Sequence, residues 1–337
     1  MKKRYLFIVS LFVALMFIVS GCGGSAKGDK KEEKKEEKKV VLRLGHEMPE
    51  NHTYHKGAMM FADMVAKKTN GSIEVKIFPN GTLGKQAQLV EGLAQGTIDL
   101  ALTNTPVLEK YDPPMGILVM PYVFRDWDHV YKAMDGEIGK DFNSRLEKKG
   151  ITVLGWHEIG VTNINSIKPI LTPDDIKGIK FRVQPGPVPV EVGRVLNTVV
   201  QTTAYGEVYT ALQLGTIDGQ LQSATNMRAN KHYEVAKNFT IMYNAYALEP
   251  LSMSKKVLDR LSPAQQKALQ EAGQESAVWQ RKLSRKNQEE DTEWMVKNVG
   301  LKVHTPDLGP WEKAIQPAVA DKFPNYKPLI EKIKAIK

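Results

Sequence analysis

The feature that most constrains this chain is a helical signal too long for one small domain. Ser262 offers an N-cap hydroxyl, Pro263 suits the first helical position, and Gln265 completes a capping box. No strong breaker follows before Gly300, with Gly273 the one weak point. At 1.5 Å per residue such a helix runs roughly 55 Å. Its apolar positions Leu269, Ala272, Trp279 and Leu283 form one stripe, which then gives way to Met295, Val296 and Val299. A stripe that changes sides predicts a helix packed first on one lobe and then on another, and the heptad is not sustained as a coiled coil requires.

Upstream, strands and helices alternate. Val40 to Gly45 reads as a buried strand, and a helix from about Thr53 places Ala58, Phe61, Ala62 and Val65 on one face before stopping at Gly71. A strand from Ser72 to Phe78, a helix from Lys85 to Gln95 ending at Gly96, and a strand from Thr97 to Leu102 predict a βαβ unit and a sheet parallel at its centre. Leu93 to Leu102 and Leu212 to Leu221 both read L-x-x-G-T-I-D-x-x-L. The repeat implies two similarly wound lobes, although this grammar also arises by chance. Asp99 and Asp218 within it read as loop and cap residues rather than catalytic acids.

A further strand is expected over Gly150 to Gly155, and Thr172-Pro173-Asp174-Asp175 reads as a helix start, with that helix ending at Gly178. In the strand from Ile179 to Val183, the residues Ile179, Phe181 and Val183 share one face, and Lys180 and Arg182 the other. Arg182 is therefore expected to point away from the packing face, towards a loop rim at the carboxyl end of the strand, where ligands gather in open α/β sheets. The residues alone leave it open to a ligand role or to a surface or structural ion pair.

The amino terminus carries a different message. Lys2, Lys3 and Arg4 precede an apolar run from Leu6 to Val19, too short to span a bilayer comfortably, which reads as an export signal over residues 1–21. Val19-Ser20-Gly21-Cys22 resembles the lipobox of bacterial lipoproteins, which makes Cys22 the expected lipidation site, anchored by two or more acyl chains. Residues 22–39 follow as a charged tether whose KKEEKKEEKK run has no apolar face to bury. Cys22 is the single cysteine, so disulfides, thiolate zinc sites and a cysteine nucleophile are excluded from the mature fold. The formal charge of +9 comes largely from these leading segments, and the remainder is too mild to suggest nucleic acid.

Signatures of catalysis are missing: there is no HExxH, GxSxG or P-loop, and no metal or cofactor is expected. His52 and His55 read as capping or surface residues, Asp174-Asp175 as helix capping, and Glu289-Glu290-Asp291 as a solvated face. An exported hydrolase or lyase is a remote alternative.

Several segments stand in a telling order: Gly71 with its following strand, Leu83-Gly84, Gly96-Thr97-Ile98-Asp99, Met120 to Phe124, Lys180-Phe181-Arg182-Val183, Gly206 to Gln213, and Ile217-Asp218-Gly219-Gln220. From about Leu42 to Gly300 the chain resembles the extracytoplasmic solute-binding proteins of TRAP (tripartite ATP-independent periplasmic) transporters. The resemblance implies an α/β, two-lobed, periplasmic-binding-protein-like fold, with strands crossing between the lobes, a long helix bridging both, and a ligand enclosed in the cleft. The expected division is 40–159 plus 248–287 for lobe I and 160–247 plus 288–337 for lobe II.

The resemblance also implies a site. The arginine of the K-x-R-V strand, here Arg182, grips the ligand carboxylate with its planar fork. Tyr205 falls where an aromatic residue lies against the ligand, though it can equally be core. Asn244 takes the position of a frequent histidine, while Asn104 and Glu47 fall where polar contacts are placed and can also be turn residues. Many relatives have a second basic residue where this chain has Thr162, and Glu-Asn where it has Leu221 and Gln222. Without a second guanidinium, a second carboxylate on the ligand would be buried unpaired, which favours a monocarboxylate over a C4-dicarboxylate. The implied partners are a small organic acid and the small and large TRAP membrane subunits, driven by an ion gradient, with the chain held outside the cytoplasmic membrane through Cys22. A receptor that presents the ligand to a sensor kinase or chemoreceptor is the alternative.

Overall fold

The computed structural model describes residues 39–337, so the expected export signal, the expected lipidation site Cys22 and nearly all of the charged run before residue 40 lie outside the described residues. In chain order the strands are β1 (Val40–Gly45), β2 (Ile73–Phe78), β3 (Leu100–Leu102), β4 (Ile151–Val161), β5 (Asn163–Ser166), β6 (Lys180–Arg182), β7 (Val199–Gln201), β8 (Gly219–Gln222), β9 (Asn238–Thr240), β10 (Tyr246–Ser254) and β11 (Lys302–His304). The helices are α1 (Thr53–Lys68), α2 (Gln86–Gln95), α3 (Thr105–Leu108), α4 (Trp127–Met134), α5 (Glu137–Glu147), α6 (Pro187–Val195), α7 (Val208–Gln213), α8 (Ala224–Ala229), α9 (Lys255–Leu258), α10 (Pro263–Val299), α11 (Gly309–Lys322) and α12 (Lys327–Lys334).

Two sheets, one per lobe, run in the orders β2-β1-β3-β10-β4 and β11-β9-β5-β8-β6-β7. Strands β2, β1 and β3 are parallel, as the βαβ reading requires, while β10 joins β3 and β4 antiparallel. In the second sheet β6 is parallel to β7 and β8, and β5 is antiparallel to β8 and β9. The chain passes between the sheets from β4 to β5 through Thr162, from β9 to β10 through residues 241–245, and along α10.

The over-long helix is α10, 37 residues from the capping box at Ser262 to a left-handed Gly300. Its early turns bury Leu269 and Ala272 against α1 and β4, and its later turns meet α8. The stripe expected between them differs from the one observed. Trp279 and Leu283 are only partly buried and Val296 is exposed, whereas Ser276, Gln280, Arg281 and Ser284 are buried. The cause is β4, an edge strand whose outer backbone groups lie beneath the helix and need partners. Gln280 supplies both kinds: its carbonyl accepts from Glu158 N–H at 2.8 Å and its amide donates to Glu158 O at 2.8 Å. Arg281 donates to Trp156 O at 2.8 Å, and Gln288 accepts from Val161 N–H at 2.9 Å. Gly273 allows the close approach, since a Cβ there would lie 2.5 Å from Leu154 Cβ.

The two aspartates of the repeated motif do one job twice. Asp99 accepts from the backbone N–H of Arg43 in β1 at 2.9 Å, and Asp218 accepts from that of Lys180, the first residue of β6, at 2.8 Å. Elsewhere the expectations need correction. Thr172 to Gly178 forms turns rather than a helix: the Asp175 carboxylate accepts from the N–H groups of Leu171 and Thr172 as at a helix start, but the left-handed Gly178 ends the segment after about one turn. Strand β3 begins only at Leu100, and β4 continues past Gly155 to Val161. Residues 324–337 rest on the segment 113–134: His129 Nε2 is 2.8 Å from Ile333 O, and Arg125 donates to Ile336 O at 2.7 Å. Among the described residues, no helix is long and apolar enough to cross a membrane.

Candidate ligand-binding site

Arg182 ends β6, between β7 and β8, where it pairs with Gln201 and Gln220. The sequence placed it at a loop rim, but its side chain is only 2% exposed, because the loop leaving β7 folds over it. Its Nε donates to Thr203 O at 3.2 Å, Nη1 has no partner, and among the described residues no acid lies within ion-pair distance. Burial pushes its pKa down to about 10, with Tyr205 and Glu47 opposing, so it stays charged at neutral pH.

Tyr205 stands beside it, the ring centre 5.7 Å from the guanidinium carbon. The Tyr205 hydroxyl accepts from Gln222 Nε2 at 3.3 Å and from Asn230 Nδ2 at 2.9 Å, which leaves its own proton to donate elsewhere. Gln222 is fixed in turn by Ser223 N–H, which donates to its carbonyl at 2.9 Å. Burial raises the Tyr205 pKa and Arg182 restrains the rise, so the phenol stays protonated.

From the first lobe come Glu47, just past β1, and Asn104, just past β3. Gln86 ties them together: its N–H donates to Glu47 Oε1 at 3.2 Å, and its carbonyl accepts from Asn104 N–H at 2.9 Å. Burial raises the Glu47 pKa, opposed by hydrogen bonds from Gln86 and the charges of Lys85 and Arg182. Asn104 occupies the N-cap of α3 without using its side chain to cap, and its Oδ1 is buried with no partner. The turn-residue reading therefore does not account for it.

Thr162 and Asn244 lie apart, where the two strand connections cross. The Thr162 hydroxyl accepts from Ala245 N–H at 3.1 Å, and Asn244 N–H donates to Thr162 O at 3.1 Å, while Asn244 Oδ1 is buried without a partner. With Val183, Gln184 and Leu221 they line a small cavity of about 30 Å³. A larger groove of about 500 Å³, lined by Trp127, Tyr246 and Arg285, holds none of the expected residues.

The structure thus groups Arg182, Tyr205 and Gln222 with Glu47 facing them, links Asn104 to Glu47, and sets Thr162 and Asn244 beside the crossing. Gln86 and Asn230 were not foreseen, since a glutamine in the first turn of a helix and an asparagine after a short one carry no signal of their own. Chemically, the set offers a cationic fork, a phenol proton and amide carbonyls, which suits a molecule bearing both a carboxylate and hydroxyl groups.

Comparison with known proteins shows the family. Residues 44–325 match the model for "Bacterial extracellular solute-binding protein, family 7". The 2,3-diketo-L-gulonate-binding periplasmic protein YiaO of Escherichia coli is 33% identical over 84% of this chain and 86% of its own length. A TRAP periplasmic solute-binding protein of Polaromonas, solved with D-erythronate, is 31% identical, with a TM-score of 0.85 over 89% of this chain and 99% of that one. Another from Xanthobacter autotrophicus, solved with β-D-galacturonate, is 31% identical, with a TM-score of 0.84 over 88% and 100%. Each of these relatives is named as a binding protein. The chain therefore belongs to bacterial extracellular solute-binding protein family 7, the two-lobed receptors of TRAP transporters.

Proposed function

We propose that this protein captures a small polyhydroxy monocarboxylate outside the cytoplasmic membrane and delivers it to the small and large TRAP membrane subunits. The observation that carries this reading is the unpaired guanidinium of Arg182. A buried cation with no acid partner and an idle Nη1 is costly to keep unless a ligand supplies the missing charge. One such fork favours one carboxylate, and the named ligands of the three relatives above each fit that description. Tyr205 would lie along the ligand and donate its proton, while Asn104 and Asn244 would accept from ligand hydroxyls. Gln222 acts by holding Tyr205, Glu47 by facing Arg182, and Thr162 by fixing the crossing.

The lobes, taken as 40–159 plus 248–287 and 160–247 plus 288–337, open to admit the acid and close over it. An acyl anchor on Cys22 would keep the receptor at the membrane surface. The test is a thermal-shift series with D-galacturonate, D-erythronate and succinate on the wild type and Arg182→Ala. The expected result is stabilisation of the wild type by a sugar acid and none of the variant. A shift by succinate alone would overturn the monocarboxylate reading.

A further inference from the structure

Glu109, just past α3, is a buried acid that the ligand site does not use. It is 4% exposed, and neither carboxyl oxygen has a well-formed hydrogen bond. Two glycines frame it. A Cβ on Gly116 would lie 2.8 Å from Glu109 Oε2, and one on Gly186 would lie 3.0 Å from Oε1 and 2.9 Å from Pro106 Cβ. Gly186 has a φ of 162°, an extended value that any residue adopts. What it contributes is an absent side chain, and the carboxyl group fills that space. Glu109 and Gly116 follow β3 of the first sheet, whereas Gly186 follows β6 of the second, at the N-cap of α6. The notch is therefore shared between segments that follow strands of the two different sheets.

We propose that Glu109 is a proton-coupled latch: on closure its carboxyl enters the notch between Gly116 and Gly186, takes up a proton from solvent, and holds the lobes shut. This rests on the capture-by-closure reading above. The physical reason is that a carboxylate brought into this notch meets no cation. Burial pushes its pKa up from 4.5 to about 8, and the Val188 N–H in the first turn of α6 favours the ionised form only weakly against that.

The surrounding charges do not change the sign. Asp112 is held by Arg145 at 2.9 Å, and Glu191 of α6 is reached by Arg194 at 3.6 Å and by Lys322 of α11 at 3.8 Å. Lys110, Tyr111, Glu91 of α2, Tyr246 and Glu249 of β10 and Tyr326 complete the titratable set on the packed elements, and the segment Pro113–Val119 has none. In the open form the carboxyl is in water and ionised at neutral pH, so closure binds a proton and is favoured as pH falls between about 8 and 4.5.

The purified full chain, as wild type, Glu109→Gln and Gly186→Ala, is titrated calorimetrically with D-galacturonate and D-erythronate from pH 5.5 to 8.5, in buffers of differing ionisation enthalpy. Small-angle scattering follows closure over the same range, with and without acid. The wild type should take up close to one proton per ligand, its affinity falling by up to about tenfold per pH unit. Glu109→Gln should take up none and lose the pH dependence, and Gly186→Ala, whose methyl group fills the notch, should bind at least about tenfold more weakly. Equal proton uptake in wild type and Glu109→Gln, or unimpaired closure of Gly186→Ala, would overturn the latch. If neither acid binds the wild type, the sugar-acid reading fails and scattering alone decides the latch. Acid-driven closure that Glu109→Gln lacks supports it, and matching profiles overturn it.

Discussion

The guanidinium carbon of Arg182 lies 5.7 Å from the centre of the Tyr205 ring, and the Tyr205 hydroxyl is pinned by Asn230 and Gln222. The phenol is therefore oriented before any ligand arrives, and the cation beside it has no acid to neutralise it. Pre-orientation of this kind lowers the ordering cost of binding.

Replacing the guanidinium separates binding from folding. Arg182→Met should leave ligand-free stability unchanged or raise it by about 1 kcal/mol. It should also cost about 3 kcal/mol in affinity for D-galacturonate, a loss of more than about 100-fold. Urea denaturation and calorimetric titration read the two quantities. A large stability loss with affinity intact would make Arg182 a structural residue.

The long helix is tested through its polar face. Gln280→Ala removes both partners of the Glu158 backbone and should destabilise the protein by about 2 to 3 kcal/mol. Gly273→Ala should also destabilise, by about 1 to 3 kcal/mol, because the clash with Leu154 exceeds the helix propensity gained, about 1 kcal/mol. Both are measured by denaturant unfolding, and a stabilised Gly273→Ala would contradict the packing described.

Asp99→Ala and Asp218→Ala should each cost about 1 kcal/mol, since each removes the acceptor of a strand N–H. Neither should change ligand affinity, as neither carboxylate belongs to the ligand cluster. A binding defect in either would assign the repeated motif a role beyond the fold.

Stability should peak near pH 6. Burial pushes the pKa of His46, His157 and His232 down to about 3 and that of His52 to about 4, so the folded state resists protonation and stability is lost as pH falls from 6.5 towards these values. Burial raises Glu158 to about 7, so its contribution is full below 4.5 and is lost as pH rises through that value. Urea unfolding from pH 4 to 9 checks the curve, and Glu158→Gln should flatten its alkaline limb.

Much of this was legible in the chain. The capping box at Ser262, the repeated Gly-Thr-Ile-Asp and the alternation around Phe181 depend on local backbone chemistry, which operates in any context, so α10, the strands β1 and β6 and the parallel centre of the first sheet were visible in advance. The segment at Thr172 misled because its start signals are met, with Asp175 accepting from the Thr172 N–H, yet the left-handed Gly178 stops it after about one turn.

By itself the sequence pointed to two lobes through the over-long helix, the caps and the repeated motif, which are written along the chain. Arg182 was singled out only by the family resemblance, its own residue context leaving a ligand role and an ion pair both open. Only the tertiary structure decided that this arginine is buried without an acid partner, that Gln86 and Asn230 orient its neighbours, and that the middle of α10 buries amides where an apolar stripe was expected. Those outcomes depend on which backbone groups remain unsatisfied once distant strands are brought together, and that demand does not exist until the chain has folded.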